Sequence, residues 1–215
     1  MSRNLVVKIK EGKYKKSHIL VSYLEDNIAK SGAYYARVYY SENNIYADNV
    51  LSYEKIGKRI EKFEGIQAIV FVDDFIGTGD STCEYLKKFN EDYGKIIASK
   101  GIIVNFIAIC GFEEGELKIS NFIEDLQFKV KFKILDKLNN SDKCFSETSK
   151  IFKDINIRIQ AKNVAYNIGK KLELKWPLGF GNCEATVVFQ DNCPNNTLPI
   201  LWSSNKEWYP LFRRL

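Results

Sequence analysis

One histidine, His18, stands in a chain of 215 residues. By itself it builds neither a histidine-based metal centre nor a triad, and the apolar run after it marks it as structural or solvent-facing. The five cysteines, Cys83, Cys110, Cys144, Cys183 and Cys193, are odd in number and widely spaced, with no Cys-x-x-Cys. That spacing argues against a zinc site and a disulfide framework and leaves reduced, packed thiols as the expectation. No apolar run approaches the length of a membrane span, and the stretch from Met1 to Lys8 lacks the apolar core of a signal peptide. A soluble cytoplasmic protein with no membrane partner is therefore expected. Internal repeats, low-complexity tracts and linkers are lacking too. What is present is a 45% hydrophobic composition, enough to bury a core, and one α/β domain over residues 1–215 is the economical reading. Within it, residues 1–65 read as a helical N-terminal part and 66–215 as an α/β core with a tail.

The most informative stretch runs from Ile66 to Thr82. Ile66 to Val72 is short, apolar and rich in β-branched and aromatic residues, which suits a strand buried on both faces of a parallel sheet. Asp73 and Asp74 follow it, then Gly77, Thr78, Gly79, Asp80 and Ser81. An amphipathic stretch with Tyr85, Leu86, Phe89 and Tyr93 then reads as a helix. Residues at the C-terminal end of such a strand face a ligand crevice. Glycines allow close approach, and backbone N–H groups and hydroxyls at a helix start favour an anion such as phosphate. Two adjacent carboxylates suit sugar hydroxyls or a metal-bound diphosphate. The plainer alternative is a turn whose acids cap the helix and face water.

The segment Val72 to Ser81 (VDDFIGTGDS) resembles the phosphoribosyl diphosphate-binding motif of type I phosphoribosyltransferases. The stretches Pro177 to Trp202 and Ser31 to Arg37 look like the divergent phosphoribosyltransferase-like domains of bacterial conflict systems, some of them retron effectors. The resemblance implies a Rossmann-like, mostly parallel sheet flanked by helices. It also implies that Asp73 and Asp74 hold the ribose 2′- and 3′-hydroxyls near a Mg2+ ion carried by the substrate diphosphate. The loop from Ile76 to Ser81 would hold the 5′-phosphate, through the side chains of Thr78 and Ser81 and the backbone of Gly79 and Asp80. Gly77 belongs to the same turn. Asp80 departs from the family, which often has glycine there; a carboxylate aimed inward would repel phosphate, so it is expected to face solvent and contribute only its N–H. Neither the diphosphate loop nor the flexible catalytic loop of the family is identifiable. Lys30, Ser31 and Gly32, with Arg37 nearby, are a substitute for the former, set against plain helix-end chemistry. The retron likeness further implies anti-phage defence, with a reverse transcriptase and its RNA–DNA hybrid as partners.

Elsewhere the pattern predicts helices over 17–30 (Leu20, Val21, Leu24, Ile28), 33–40, 49–63 and 113–126. A long amphipathic helix is expected over 148–174, marked by Ile151, Ile155, Ile159, Ile168 and Leu172. Gly101 to Cys110 reads as a second central strand. Phe128 to Leu135 alternates apolar residues with lysine and reads as a strand near the sheet edge with one wet face. Glu184 to Phe189 reads as a fourth strand that delivers Asn192, Asn195 and Asn196 to the ligand side; a self-contained Asn/Pro turn is the equal alternative. Trp202, Trp208, Tyr209 and Phe212 are expected to dock the end of the chain. The net charge is +5, with Lys8, Lys10, Lys13, Lys15 and Lys16 clustered at the front and Arg213 and Arg214 at the end. Such clusters are solvated faces or approach a nucleic-acid backbone, in which case binding falls steeply with salt.

Two functional classes follow. One is a phosphoribosyltransferase-like enzyme acting on phosphoribosyl diphosphate or a related nucleotide. The other is a non-catalytic nucleotide sensor or scaffold in a nucleoprotein assembly.

Overall fold

The structure, a computed structural model, describes residues 14–24, 31–172, 175–190, 192–204 and 208–214. Four parallel strands make its sheet in the order β1 (Ile19–Ser22), β2 (Ala68–Ile76), β3 (Ile103–Phe112) and β4 (Val130–Leu138). Between β1 and β2 the chain forms α1 (Ser31–Glu42) and α2 (Tyr53–Lys62). The long α3 (Asp80–Ser99) connects β2 to β3, and α4 (Glu113–Phe122) connects β3 to β4. After β4 come α5 (Ile155–Leu172) and the short α6 (Pro199–Trp202). All four strands run the same way, so their C-terminal ends share one rim. This is the α/β architecture expected from the continuous apolar runs.

The two faces of the sheet bury different sets. Leu20, Ile69, Phe71, Val104, Phe106 and Ile134 pack under α2, α3 and α4 with Ile56, Ile60, Leu86 and Phe89. The alternate residues Ile19, Val21, Ala68, Val70 and Val72 pack against α1 through Ala33 and Ala36. This period of two is the pleat itself. Phe71, Phe89 and Phe106 are fully buried, each contributing about 1.5–3 kcal/mol. On β4 the lysines Lys131 and Lys133 are exposed and Ile134 is buried, as the alternation required of an edge strand with one wet face.

Three expectations are corrected. The helix predicted over 17–30 is instead a short 3-10 turn and strand β1, with residues 25–30 outside the described ones. All four β1 residues are buried, and a buried strand this short leaves no alternation to distinguish it from a helix. Glu184 to Phe189 is not a sheet strand. It bridges only to its own return at Ala185–Thr197, with Leu198 N–H donating to Ala185 O (2.9 Å) and Phe189 N–H to Asn192 O (2.9 Å). Helix α5 does form, but Ile155 and Ile159 on it, and Ile151 before it, are about half exposed. Its buried side is Ala165 and Gly169, because the backbone of Pro177 lies where a Cβ on Gly169 would be, 2.0 Å from its carbonyl oxygen.

All five cysteines are buried free thiols. Burial pushes Cys144 and Cys183 up to about 12 and Cys110 and Cys193 to about 11, so these thiols are packing groups. His18 is half-buried beside Gly65. Among the described residues, no helix is long and apolar enough to cross a membrane.

Candidate active site at the end of the second strand

Strand β2 does not stop before the acids; it continues through Asp73 and Asp74 to Ile76. Its sheet pairing holds Asp73 level with Ala108 and Ile76 level with Gly111. Asp74 is buried, accepting from Phe75 N–H at Oδ1 (2.8 Å) and from Asn192 Nδ2 at Oδ2 (3.2 Å). Asp73 is half-buried, and its Oδ1 accepts from Asp74 N–H (2.9 Å).

The turn from Gly77 to Gly79 then opens α3. Gly79 sits at φ +81 as the residue before the helix, a left-handed conformation that glycine adopts without strain. Crowding demands the other glycine: a Cβ on Gly77 would lie 2.2 Å from Asn196 Nδ2 and 3.1 Å from Cys183 Sγ. From α4, Gly115 presses on the same turn, where a Cβ would lie 2.3 Å from Gly77 O. The loop is thus clamped between α4 and the C-terminal segment.

Asp80 differs from its expected role. Its carboxylate is about half exposed but engaged, bonded to the Lys118 ammonium from α4 and accepting from Thr78 Oγ1 (2.6 Å). Lys118 first, then the Thr78 hydroxyl, hold this carboxyl below its usual range. The charge that would repel a phosphate is therefore balanced within the protein, by a lysine that no local pattern singled out.

Asp73, Asp74, Ile76, Gly77, Thr78, Gly79, Asp80 and Ser81 line one cavity of about 110 Å3. Asn192, Asn195 and Asn196 line it as well, although the strand expected to deliver them is absent from the sheet. They arrive on irregular backbone: Asn195 O accepts from Phe180 N–H (2.8 Å), and Asn196 Nδ2 donates to Phe180 O (3.3 Å). Phe75, Thr82, Phe180, Cys193, Pro194 and Arg214 line the cavity too, residues that the sequence reading did not choose as ligand contacts. Arg37 is exposed on α1 and absent from the lining, and Lys30 lies outside the described residues. Gly32 packs on Tyr23 and near Val72 O, which places the start of α1 at the same rim of the sheet. No group of three or more metal-ligating side chains occurs among the described residues.

The PRTase-CE family matches residues 2–214, nearly the whole sequence. The chain belongs to the PRTase-CE family. Its domain is phosphoribosyltransferase-like, as the motif from Val72 to Ser81 implied. Among solved structures, an orotate phosphoribosyltransferase from Aeropyrum pernix is similar at 14% identity over 62% of this chain and 67% of that one. The TM-score of that superposition is 0.32, and nothing further rests on it. No curated protein matches the chain.

Proposed function

We propose that this PRTase-CE domain is an enzyme that binds the ribose-phosphate part of phosphoribosyl diphosphate and transfers the phosphoribosyl group. The observation that carries the reading is the placement of the acid pair and a glycine-rich helix start around one cavity at the C-terminal rim of a parallel sheet. The backbone from Gly77 to Ser81 and the positive end of the α3 dipole receive the 5′-phosphate. Asp73 and Asp74 orient the ribose hydroxyls. In the displacement, the bond from C1 to the diphosphate oxygen breaks and its electron pair leaves with diphosphate. The lone pair of an acceptor then forms the new bond to C1. Positive charge builds on the ring between these events, and two fixed carboxylates stabilise it without covalent work. Mg2+, carried in on the diphosphate, would offset the charge of the leaving group. The acceptor is open to a base, a nucleotide, a nucleic-acid end, a protein side chain or water.

Calorimetric titration of phosphoribosyl diphosphate with Mg2+ tests this. Wild type should bind, and the Asp73→Asn, Asp74→Asn double variant should lose binding while keeping its fold. Equal binding by both proteins sinks the assignment.

A second reading, a sensor or scaffold without turnover, draws on the same contacts. Asn192 occupies one oxygen of Asp74, Asp80 engages the Thr78 hydroxyl, and Asn196 sits on Gly77. At about 110 Å3 the cavity is also below the roughly 300–1,000 Å3 of sites that hold whole drug-sized ligands. Binding without any diphosphate release would favour this class. The setting that goes with either reading is an anti-phage effector partnered by a reverse transcriptase and its RNA–DNA hybrid, supported by the sequence resemblance alone.

A further inference from the structure

A phosphate at the start of α3 would draw on two kinds of donor, the backbone N–H groups of the loop and the hydroxyl of Thr78. That hydroxyl carries one proton and can donate one hydrogen bond. In this structure it donates to Asp80 Oδ2 (2.6 Å), a charge-assisted contact, and the Asp80 N–H lies 3.5 Å from the same hydroxyl oxygen. The other carboxylate oxygen of Asp80 is bonded to the Lys118 ammonium from α4. An anion of the protein's own therefore holds the side-chain donor that Thr78 would offer to a phosphate. What Thr78 still presents are lone pairs, which repel phosphate oxygens.

Of the two partners, Thr78 is the less free to turn. Its methyl lies against the segment around Gly181, where a Cβ on that glycine would be 3.1 Å from Thr78 Cγ2. The Asp80 side chain is about half exposed and has water to turn into, and Lys118, about as exposed, can follow it. The movable partner is the carboxylate. We propose that Asp80 is a built-in competitor for the anion site, and that a ligand phosphate binds by displacing its carboxylate from the Thr78 hydroxyl. This rests on the ribose-phosphate reading of the Asp73–Ser81 segment given above. The apparent affinity is then the intrinsic affinity reduced by the fraction of molecules in which Asp80 has let go. One hydrogen bond to a charged group sets that fraction at about one in ten. Lys118 balances the Asp80 charge, so the competition is local, over one hydroxyl, and is not a field felt by every anion.

The test is calorimetric titration with ribose 5-phosphate of the wild type and of Asp80→Ala, Lys118→Gln. That pair removes the competitor together with its counter-charge and leaves the net charge unchanged. It should bind about five- to tenfold tighter, the inverse of the released fraction. The same two changes made on Thr78→Val should alter affinity by less than about twofold, because the hydroxyl they would release is gone. Unchanged or weaker binding by the pair overturns the inference, and so does an equal gain on Thr78→Val, which would place the effect outside the hydroxyl. In the wild type, saturating ribose 5-phosphate should also shift the side-chain carbonyl resonance of Asp80, and a resonance that stays put overturns the inference without recourse to any variant. The Asp73→Asn, Asp74→Asn double variant separates the two readings. If it loses ribose 5-phosphate while Asp80→Ala, Lys118→Gln binds as wild type does, the competitor assignment alone fails. If it binds ribose 5-phosphate normally, or if neither wild type nor the Asp80, Lys118 pair binds, the ribose-phosphate reading fails and takes this one with it.

Discussion

The two walls of the cavity are built by different rules. One wall, Asp73 to Ser81, is continuous in sequence and grows directly out of the sheet and into α3. The other gathers Phe180, Asn192 to Asn196 and Arg214 from irregular backbone that joins no sheet among the described residues and includes the isolated bridge Ala185–Thr197. In the first, position is enforced by the pairing of β2 with β3, which runs on through Asp73 to Ile76, and with β1 just before the acids, from Ala68 to Phe71. In the second it rests on scattered hydrogen bonds and on residues at positive φ, Gly179, Gly181, Asn182 and Glu184. The difference teaches that the wall with the acid pair is tied to the sheet, whereas the covering wall is expected to open at a cost below global unfolding.

The largest effect that can break this comparison comes from Gly179. It adopts φ +90, ψ 159, a region essentially reserved for glycine, and a Cβ there would lie 2.0 Å from Asn196 O. Gly179→Ala should destabilise the covering wall by about 3 kcal/mol or more. Hydrogen exchange should show amides of 176–204 losing protection while β2 and β3 keep theirs. Uniform loss across the sheet would mean that the two walls unfold as one unit. Gly77→Ala is the next step down, an overpacking of about 1–3 kcal/mol where the walls touch. Its Cβ meets the Asn196 side chain rather than backbone, so adding Asn196→Ala should recover part of the loss. Additive unfolding free energies in that double-mutant cycle would show that the contact does not couple the walls.

The same division explains what could be read in the sequence. Strands β2, β3 and β4, helix α3 and the acid-pair turn were legible because each is a local pattern: an apolar run, an alternation, a glycine-bounded helix start. Strand β1 was not, since Ile19 to Ser22 is too short and too buried to show a period of two. The run from Ala185 to Phe189 has strand-like residues, but its partners come from its own return near Thr197, a tertiary choice that composition does not encode. In α5 the helix was legible and its buried side was not: Ile155 and Ile159 are about half exposed, Ile168 and Leu172 are partly buried, and Ala165 and Gly169 are buried. Periodicity marks a stripe, while the close approach at Gly169 decides which side packs. Asn192, Asn195 and Asn196 reached the cavity by another route than the one expected, and Arg214 gave no signal beyond a charge at the chain's end.

The smallest effect sharpens the comparison from the side of the continuous wall, through the Asp80–Lys118 pair. Asp80 titrates below its ordinary value of 3.8, held there first by Lys118 and then by the Thr78 hydroxyl. A depressed carboxyl contributes stability above its unfolded pKa, and that contribution is lost as pH falls through the lower folded value. Both side chains are about half exposed, so water and salt screen the pair and the change in stability is slight. The local titration is the better readout. In Lys118→Gln the Asp80 carboxyl should move back toward 3.8, followed by the side-chain carbonyl shift in an NMR titration, and added salt should move the wild type the same way. The exchange pattern of 176–204 should stay as in wild type, because the pair bridges α3 and α4 and leaves the covering wall alone. An Asp80 titration that Lys118→Gln does not shift would assign the depression to the helix start and to Thr78. The continuous wall would then balance its own charge without help from α4.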